Sequence, residues 1–463
     1  MRLLLATILL GLVAAAAISG CTHSGEAAGA AEAATRQSEA AVQADTLEQL
    51  HRSGDFPTFV AEAQVAAKQF ANEARVRLLL AEALLASGDV QQAEAAALAA
   101  QRLAGPAADD VSSSAIRTWA AARLRQGLPL ETAHLARTAL DDSALQAVLT
   151  WSDLLAGAAP FRVESPSGES VTPDISAAES GSLAAELLAV DGHVNGTPCN
   201  RLFIDTGAQH TVITKAAAAA AGVRVQEGNI ELAGFANATA QAGLIDSLRF
   251  GSLAIRNVPV LVGDTPALVA AGGSMSLGTD LLHHLRVTLD YPRQRVTIEP
   301  AGRDSTPLSP PARASGEWLI AVWTSSRLPL AQGLLSDGSP LRVLIDTGDR
   351  RGTYISYRWG RRAVPQLAGV HSGMVFRFKK KDLTLPPLEL GGQLIVDWPV
   401  IDTLPKELDR LDVVDVMLGH DLLQRFRVTI DLARGEFRLA AEDPQTLAAP
   451  IRPARMKGEY DLP

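Results

Sequence analysis

The sequence predicts an α plus all-β multidomain chain: a helical N-terminal region followed by a β region that uses one unit twice. Three observations predict this. Residues 45–158 carry apolar side chains at three- and four-residue spacing with abundant Ala, as packed helices do. Beyond about residue 182 the pattern becomes short β-branched runs broken by Gly, Asn-Gly and Asp-Gly turns, an all-β signature. Within that part, two segments of about 183–300 and 317–440 repeat the same order of strands, turns and an acidic motif.

The chain has 463 residues, too many for a single core, which suggests about three domains. Hydrophobic residues make up 47% and charged residues 20%, a globular composition. The formal net charge is −9, from 42 basic and 51 acidic side chains. Nucleic acid is excluded as a partner on this ground, since such binding needs a concentrated basic surface.

The expected order is 1–20 signal peptide, 21–44 tether, 45–158 helical domain, 159–182 linker, 183–302 first β unit, 313–441 second β unit and 442–463 tail. The first stretch is basic at Met1-Arg2, then apolar from Leu3 to Ala17, too short for a comfortable transmembrane helix. It ends in Ile18-Ser19-Gly20-Cys21, which resembles the lipobox of bacterial lipoproteins. That resemblance implies cleavage before Cys21, lipidation of Cys21 and anchoring to the cell envelope. Thr22 stands where that family uses Asp for inner-membrane retention, so the outer membrane facing the periplasm is expected. Residues 22–44 hold almost no bulky side chains and read as a tether. The chain has two cysteines, so lipidation of Cys21 leaves Cys199 a lone thiol, expected as a buried strand residue. No Cys or His cluster has zinc spacing, and no metal or cofactor is expected.

In the helical part, Gly54-Asp55 is followed 34 residues later by Gly88-Asp89. That period, with small residues at Ala81, Gly88, Ala93 and Ala100, resembles the tetratricopeptide repeat. Gly127 and Ala133 suggest a third, looser unit. Such an array is either a docking groove for a protein partner or a spacer packed on the next domain. Pro160 to Gly181 is rich in Ser, Pro, Gly and Glu and reads as a linker.

The duplication carries the chemistry. In the first copy the turn Asn195-Gly196 precedes Arg201-Leu202-Phe203-Ile204, which runs into Asp205-Thr206-Gly207-Ala208. In the second, Asp337-Gly338 precedes Arg342-Val343-Leu344-Ile345 and then Asp346-Thr347-Gly348-Asp349. Downstream, Leu277-Gly278-Thr279-Asp280-Leu281-Leu282 matches Leu418-Gly419-His420-Asp421-Leu422-Leu423. The step from Asp205 to Gly278 is 73 residues, as is that from Asp346 to Gly419. A further step of 12 reaches Asp290 and Asp431. Two in-register copies of a tripeptide, each after an apolar strand, are not plausibly chance.

An apolar strand, Asp-Thr-Gly-Ala and a later apolar-apolar-Gly element resemble the retropepsin-like aspartic proteases. The resemblance covers somewhat over half of the chain. It implies two tandem retropepsin-like β-barrel lobes on one polypeptide, an aspartic endopeptidase activity and a polypeptide substrate. It assigns Asp205 and Asp346 as the catalytic pair. Thr206 and Thr347 would bond across to the partner loop. Gly207, Ala208 and Gly348 would shape the loops, and Leu277, Gly278, Leu418 and Gly419 would pack beneath. The chemistry needs these residue types: two adjacent carboxylates cannot both ionise cheaply, so one acts as base toward water and the other as acid.

Flexible hairpins covering the pair are expected near Glu231–Gln241 and Val370–Asp382. The second holds Phe376-Arg377-Phe378-Lys379-Lys380-Lys381, either an anion-preferring flap or an exposed hairpin with solvated lysines. The second motif departs from the family in continuing Asp349-Arg350-Arg351-Gly352-Thr353. An Arg there is expected to depress the Asp346 pKa. His283 and His284 read as surface residues. Two other readings stand beside the single-chain protease: pairing of the first copy with another chain, and a non-catalytic envelope scaffold with degenerate lobes.

Overall fold

The computed structural model describes residues 24–104, 110–130, 143–165, 168–176, 187–228, 230–232, 238–302, 316–324, 328–356, 359–360, 384–404 and 413–453. Among these, six helices come first: α1 (Ser24–Ser53), α2 (Phe56–Gln69), α3 (Ala74–Ala86), α4 (Val90–Ala104), α5 (Asp110–Arg125) and α6 (Ser143–Leu155). Neighbouring helices from α1 to α5 pack on one another through small residues, among them Ala81, Ala93, Ala97 and Ala100. Without a γ-carbon these let two helix backbones approach closely.

Helices α1, α3 and α5 end alike. Asp55, Asp89 and Leu128 each donate their backbone N–H to the carbonyl five residues back, and Gly54, Gly88 and Gly127 adopt positive φ just before them. This is the Schellman ending, which needs a left-handed residue there. Asp55 and Asp89 then cap the next helices by accepting from Thr58 N and Gln92 N. Ala133, expected in the third unit, lies outside the described residues.

The tether expected at 21–44 differs. Helix α1 already runs from Ser24, with 32–39 exposed and Ala40, Ala44 and Leu47 buried against α2 and α3. Ala, Glu and Gln are strong helix formers, and three small or apolar positions on one face suffice to dock the helix. The expected signal peptide and Cys21 lie outside the described residues.

The β region begins with β1 (Arg162–Glu164), β2 (Ala189–Val194), β3 (Thr197–Ile204), β4 (Val212–Ile213), helix α7 (Lys215–Ala220), β5 (Arg224–Val225), β6 (Ile230–Leu232), β7 (Ala238–Phe250) and β8 (Leu253–Val262). Helix α8 (Pro266–Ala270), β9 (Met275–Leu277) and helix α9 (Thr279–Leu282) follow. Six strands close on themselves in the order β8-β4-β9-β3-β2-β7, with β7 pairing back to β8. Closure leaves no open edge in this ring. Asn195 and Gly196, both at positive φ, make the tight β2–β3 turn, as Asn-Gly does in hairpins. Cys199 lies buried in β3.

The expected linker is instead stitched to this barrel. Strand β1 pairs with β8 and Ile175 bridges Val190 of β2, while Val171 bridges Ile298 outside the barrel. Its few β-branched residues find open strand positions, which outweighs its loop-like composition.

Strands β10 (Leu285–Asp290) and β11 (Arg295–Pro300) form a hairpin. Then come β12 (Glu317–Thr324), β13 (Pro329–Leu335), β14 (Pro340–Ile345), β15 (Tyr354–Ile355), β16 (Leu388–Leu390), β17 (Gln393–Ile395), β18 (Asp402–Thr403), β19 (Val416–Leu418), helix α10 (His420–Leu423), β20 (Phe426–Asp431) and β21 (Glu436–Ala441). They form a twelve-stranded sheet in which β10 pairs with β20, joining the two parts.

The duplicated pattern reappears as duplicated register. Strands β3 and β9 run parallel with Leu202↔Met275 and Ile204↔Leu277; β14 and β19 run parallel with Val343↔Val416 and Ile345↔Leu418. Strand β4 lies on β9 and β8 as β15 lies on β19 and β18. The tail expected from 442 also packs: Ile451 bridges Ile395 and is buried.

The helical region touches both β parts. Trp151 of α6 donates its indole N–H to Val260 O at 3.1 Å. Phe56, the first residue of α2, packs into a buried cluster of the second part. His283 is buried, and the half-buried His284 stacks on Phe161 and donates Nε2–H to Leu124 O at the end of α5. The surface expected for these histidines is therefore corrected: docking of the helices covers them.

Candidate active site

Apolar strands β3 and β14 deliver Asp205 and Asp346 to the same place. Each Asp backbone N–H donates to a leucine carbonyl of the neighbouring parallel strand, Leu277 O at 3.0 Å and Leu418 O at 2.9 Å. Gly278 and Gly419 follow those leucines. A β-carbon at Gly278 would overlap the His210 backbone, and one at Gly419 would overlap Gly352 O and the Asp349 carboxylate. Close approach explains both glycines.

The two loops are locked reciprocally. Thr206 Oγ1 donates to Ile345 O at 2.6 Å and accepts from Thr347 N at 3.0 Å. Thr347 Oγ1 donates to Ile204 O at 2.9 Å and accepts from Thr206 N at 3.1 Å. All six polar groups of these four bonds are buried and satisfied, so the pair fixes the spacing of the loops. Beyond each Thr, a β-carbon on Gly207 would strike the Asp346 carboxylate, and one on Gly348 would strike that of Asp205. Each glycine thus lies directly under the other loop's acid.

The two acids differ in surroundings. Asp205 is partly exposed; its Oδ1 accepts from Gly207 N at 3.0 Å and its Oδ2 from the Ser276 hydroxyl at 2.8 Å. Burial raises its pKa, and the Ser276 bond is the largest opposing effect. Asp346 is buried, and its Oδ1 accepts from Gly348 N at 2.8 Å and Asp349 N at 3.1 Å. Burial raises its pKa well above the usual carboxylate range, reinforced by the charges of Asp205 and then Asp349. Met417 holds the position equivalent to Ser276 and offers no hydroxyl.

The expectation that a neighbouring Arg depresses Asp346 is overturned. The side chain of the departing loop that acts on Asp346 is a third carboxylate. Asp349 accepts from Gly352 N at 2.7 Å and Arg351 N at 3.2 Å, and burial pushes it up to about 6. The Arg351 guanidinium lies over the Tyr354 ring at 5.7 Å, where it faces an aromatic surface.

Deeper acids brace the loops. Asp280 accepts from Thr211 N at 2.9 Å and its hydroxyl at 2.7 Å; Asp421 accepts from the Thr353 hydroxyl at 3.1 Å and Trp398 Nε1 at 2.8 Å. Both acids stand within the repeated Leu-Gly element without an expected role; their identical spacing after Gly278 and Gly419 was the available signal. Ser276 had no such signal, because its counterpart is Met. The first expected flap coincides with the β6–β7 hairpin, Ile230↔Ala240, with 233–237 outside the described residues. The stretch from Val370 to Asp382 also lies outside them. Among the described residues no group of three or more His, Cys, Asp or Glu has a metal-holding arrangement, and no helix is long and apolar enough to cross a membrane.

Residues 190–281 match the family model described as aspartyl protease. The match contains Asp205, Thr206, Gly207 and Gly278, and its domain assignment supports a protease-like hydrolase acting on polypeptide. No curated protein matches the chain.

Proposed function

We propose that the chain is a single-chain aspartic endopeptidase that hydrolyses peptide bonds of envelope proteins with a water held between Asp205 and Asp346. The observation that carries this is the reciprocal loop geometry: each Asp-Thr-Gly glycine lies under the opposite carboxylate, and each Thr bonds across to the other loop. A partner chain is not needed to bring the second acid.

The asymmetry of the pair supports a division of labour. Asp205, supported by Ser276, is the resident base, and Asp346, burdened by burial and by Asp349, holds the shared proton. Water attacks the scissile carbonyl carbon as Asp205 takes a water proton and Asp346 donates its proton to the carbonyl oxygen. The resulting gem-diol then breaks its C–N bond. Asp205 passes its proton to the leaving nitrogen, and Asp346 recovers one from a diol hydroxyl, which resets the pair.

The remaining assignments are part of the same proposal. Two tandem retropepsin-like lobes form the enzyme, tetratricopeptide-like helices precede them, and lipidated Cys21 tethers the chain at the outer membrane facing the periplasm. The test incubates the chain lacking residues 1–21 with a mixed peptide library from pH 3 to 7, beside Asp205→Asn and Asp346→Asn. Cleavage lost in both variants supports the intramolecular pair. Loss in Asp205→Asn alone points to pairing between chains. Absence of cleavage by the wild type at every pH favours a non-catalytic scaffold.

A further inference from the structure

The helical region reaches the second half of the site through Phe56. This residue opens α2 and is 1% exposed. It lies in a cluster with Leu330, Leu344, Tyr354, Leu404, Val414 and Met417, and its ring stacks on Trp323 at 5.4 Å. Asp55 accepts from the Gln332 amide at 3.2 Å, and Gly54 approaches the Leu341 backbone so closely that a β-carbon would not fit.

The duplication says which face this is. The pairing of β3 with β9 repeats in β14 with β19, so Leu344 stands where Phe203 stands and Met417 where Ser276 stands. The position-276 side chain points at catalysis, since its hydroxyl touches the Asp205 carboxylate. Met417 holds the matching place on β19, one residue before the Leu418 carbonyl that accepts from Asp346 N. The apolar face it shares with Leu344 and Val414 therefore borders the acid. In the first part the corresponding face is closed locally, by Leu268 of α8 lying against Phe203. In the second part the cover is brought by the helical region, far upstream in the chain. Phe56 supplies it, on a helix whose start is held to β13 and β14 by the Asp55–Gln332 bond and the close approach of Gly54.

We propose that Phe56 is an internal stand-in for substrate: seated on the apolar face beside Asp346, it covers the place where a peptide side chain would lie and keeps that half of the site closed. The inference rests on the peptidase reading above. An aromatic ring already seated there fixes the chemistry of the occupant: a Phe- or Leu-like side chain, desolvated and without charge. The helical region then holds half of the cleft closed, and peptide binding competes with the start of α2.

The experiment uses the chain from Thr22 onward and fluorogenic peptides that differ only in having Phe, Leu or Ala beside the scissile bond. Phe56→Ala is expected to raise kcat/KM for the Phe and Leu peptides about tenfold or more relative to the Ala peptide. Gln332→Ala, which frees Asp55 without opening the core, is expected to act in the same direction and less. Phe59→Ala, in the helical core on His51, is expected to leave the preference unchanged. A cooperatively melting Phe56→Ala with the wild-type preference overturns the proposal, as does an equal gain on all three peptides. Should Phe56→Ala fail to fold, an unchanged preference in Gln332→Ala overturns it instead. Absence of cleavage in every protein at every pH rejects the peptidase reading itself, which is a different result.

Discussion

The hydroxyl oxygens of Thr288 and Thr429 lie 3.0 Å apart where β10 crosses β20, and the two residues are separated by 141 positions. Thr206 and Thr347 are separated by the same 141 positions, with their hydroxyls 3.2 Å apart. Two self-equivalent pairs, one in the joining sheet and one under the acids, define a local two-fold axis through the molecule. The site lies on that axis, so both copies must be present for either acid to have its partner.

Replacement of either acid tests this directly. Asp205→Asn and Asp346→Asn are each expected to lower kcat/KM about 10²–10⁴-fold, the usual contribution of general acid–base groups. Their stabilities should respond to pH. A carboxyl raised in the folded state binds its proton more tightly there, so stability falls as pH rises from the unfolded value through the folded one. Asp346→Asn removes that penalty, and its melting temperature should exceed the wild type's at neutral pH and approach it in acid.

Thr206→Val keeps the shape and removes the crossing bonds. Ile345 O and Thr347 N lose their partner in a buried place, a cost of about 2–4 kcal/mol in denaturant unfolding. Thr206→Ser should recover most of it.

Gly207→Ala directs a methyl group at the Asp346 carboxylate. Activity should fall about 10²-fold or more, as expected for displacement of a reacting group by about 1 Å. A Gly207→Ala protein with wild-type kcat/KM would show that the two acids do not meet at that glycine.

The pH profile should separate the two acids. Ser276→Ala removes the bond that favours ionised Asp205, so the acidic limb of kcat/KM should move to higher pH, with Ser276→Thr restoring it. Asp349→Asn removes a charge that raises Asp346, so the alkaline limb should move to lower pH. Asp349 itself rises from 3.8 to about 6 on folding, so wild-type stability should decline across that interval and the Asn variant should lack that part of the decline.

The sequence by itself determined the order of helical and β regions, the repeat of the β unit and which two aspartates the fold brings together, because strand periodicity, turn residues and the equal 73-residue steps are local or countable properties. It also carried Thr206, Thr347 and the four glycines, since each position has a counterpart at the same spacing. Tertiary structure decided what has no counterpart. Ser276 supports one acid while Met417 cannot support the other. Asp349 lies beside Asp346, and the Arg351 guanidinium turns onto Tyr354. The stretches that read as linker, tether and tail pack onto ordered elements. These outcomes depend on which surfaces meet across large sequence separations, and on burial, which sets the cost of a charge more strongly than its neighbours in sequence do.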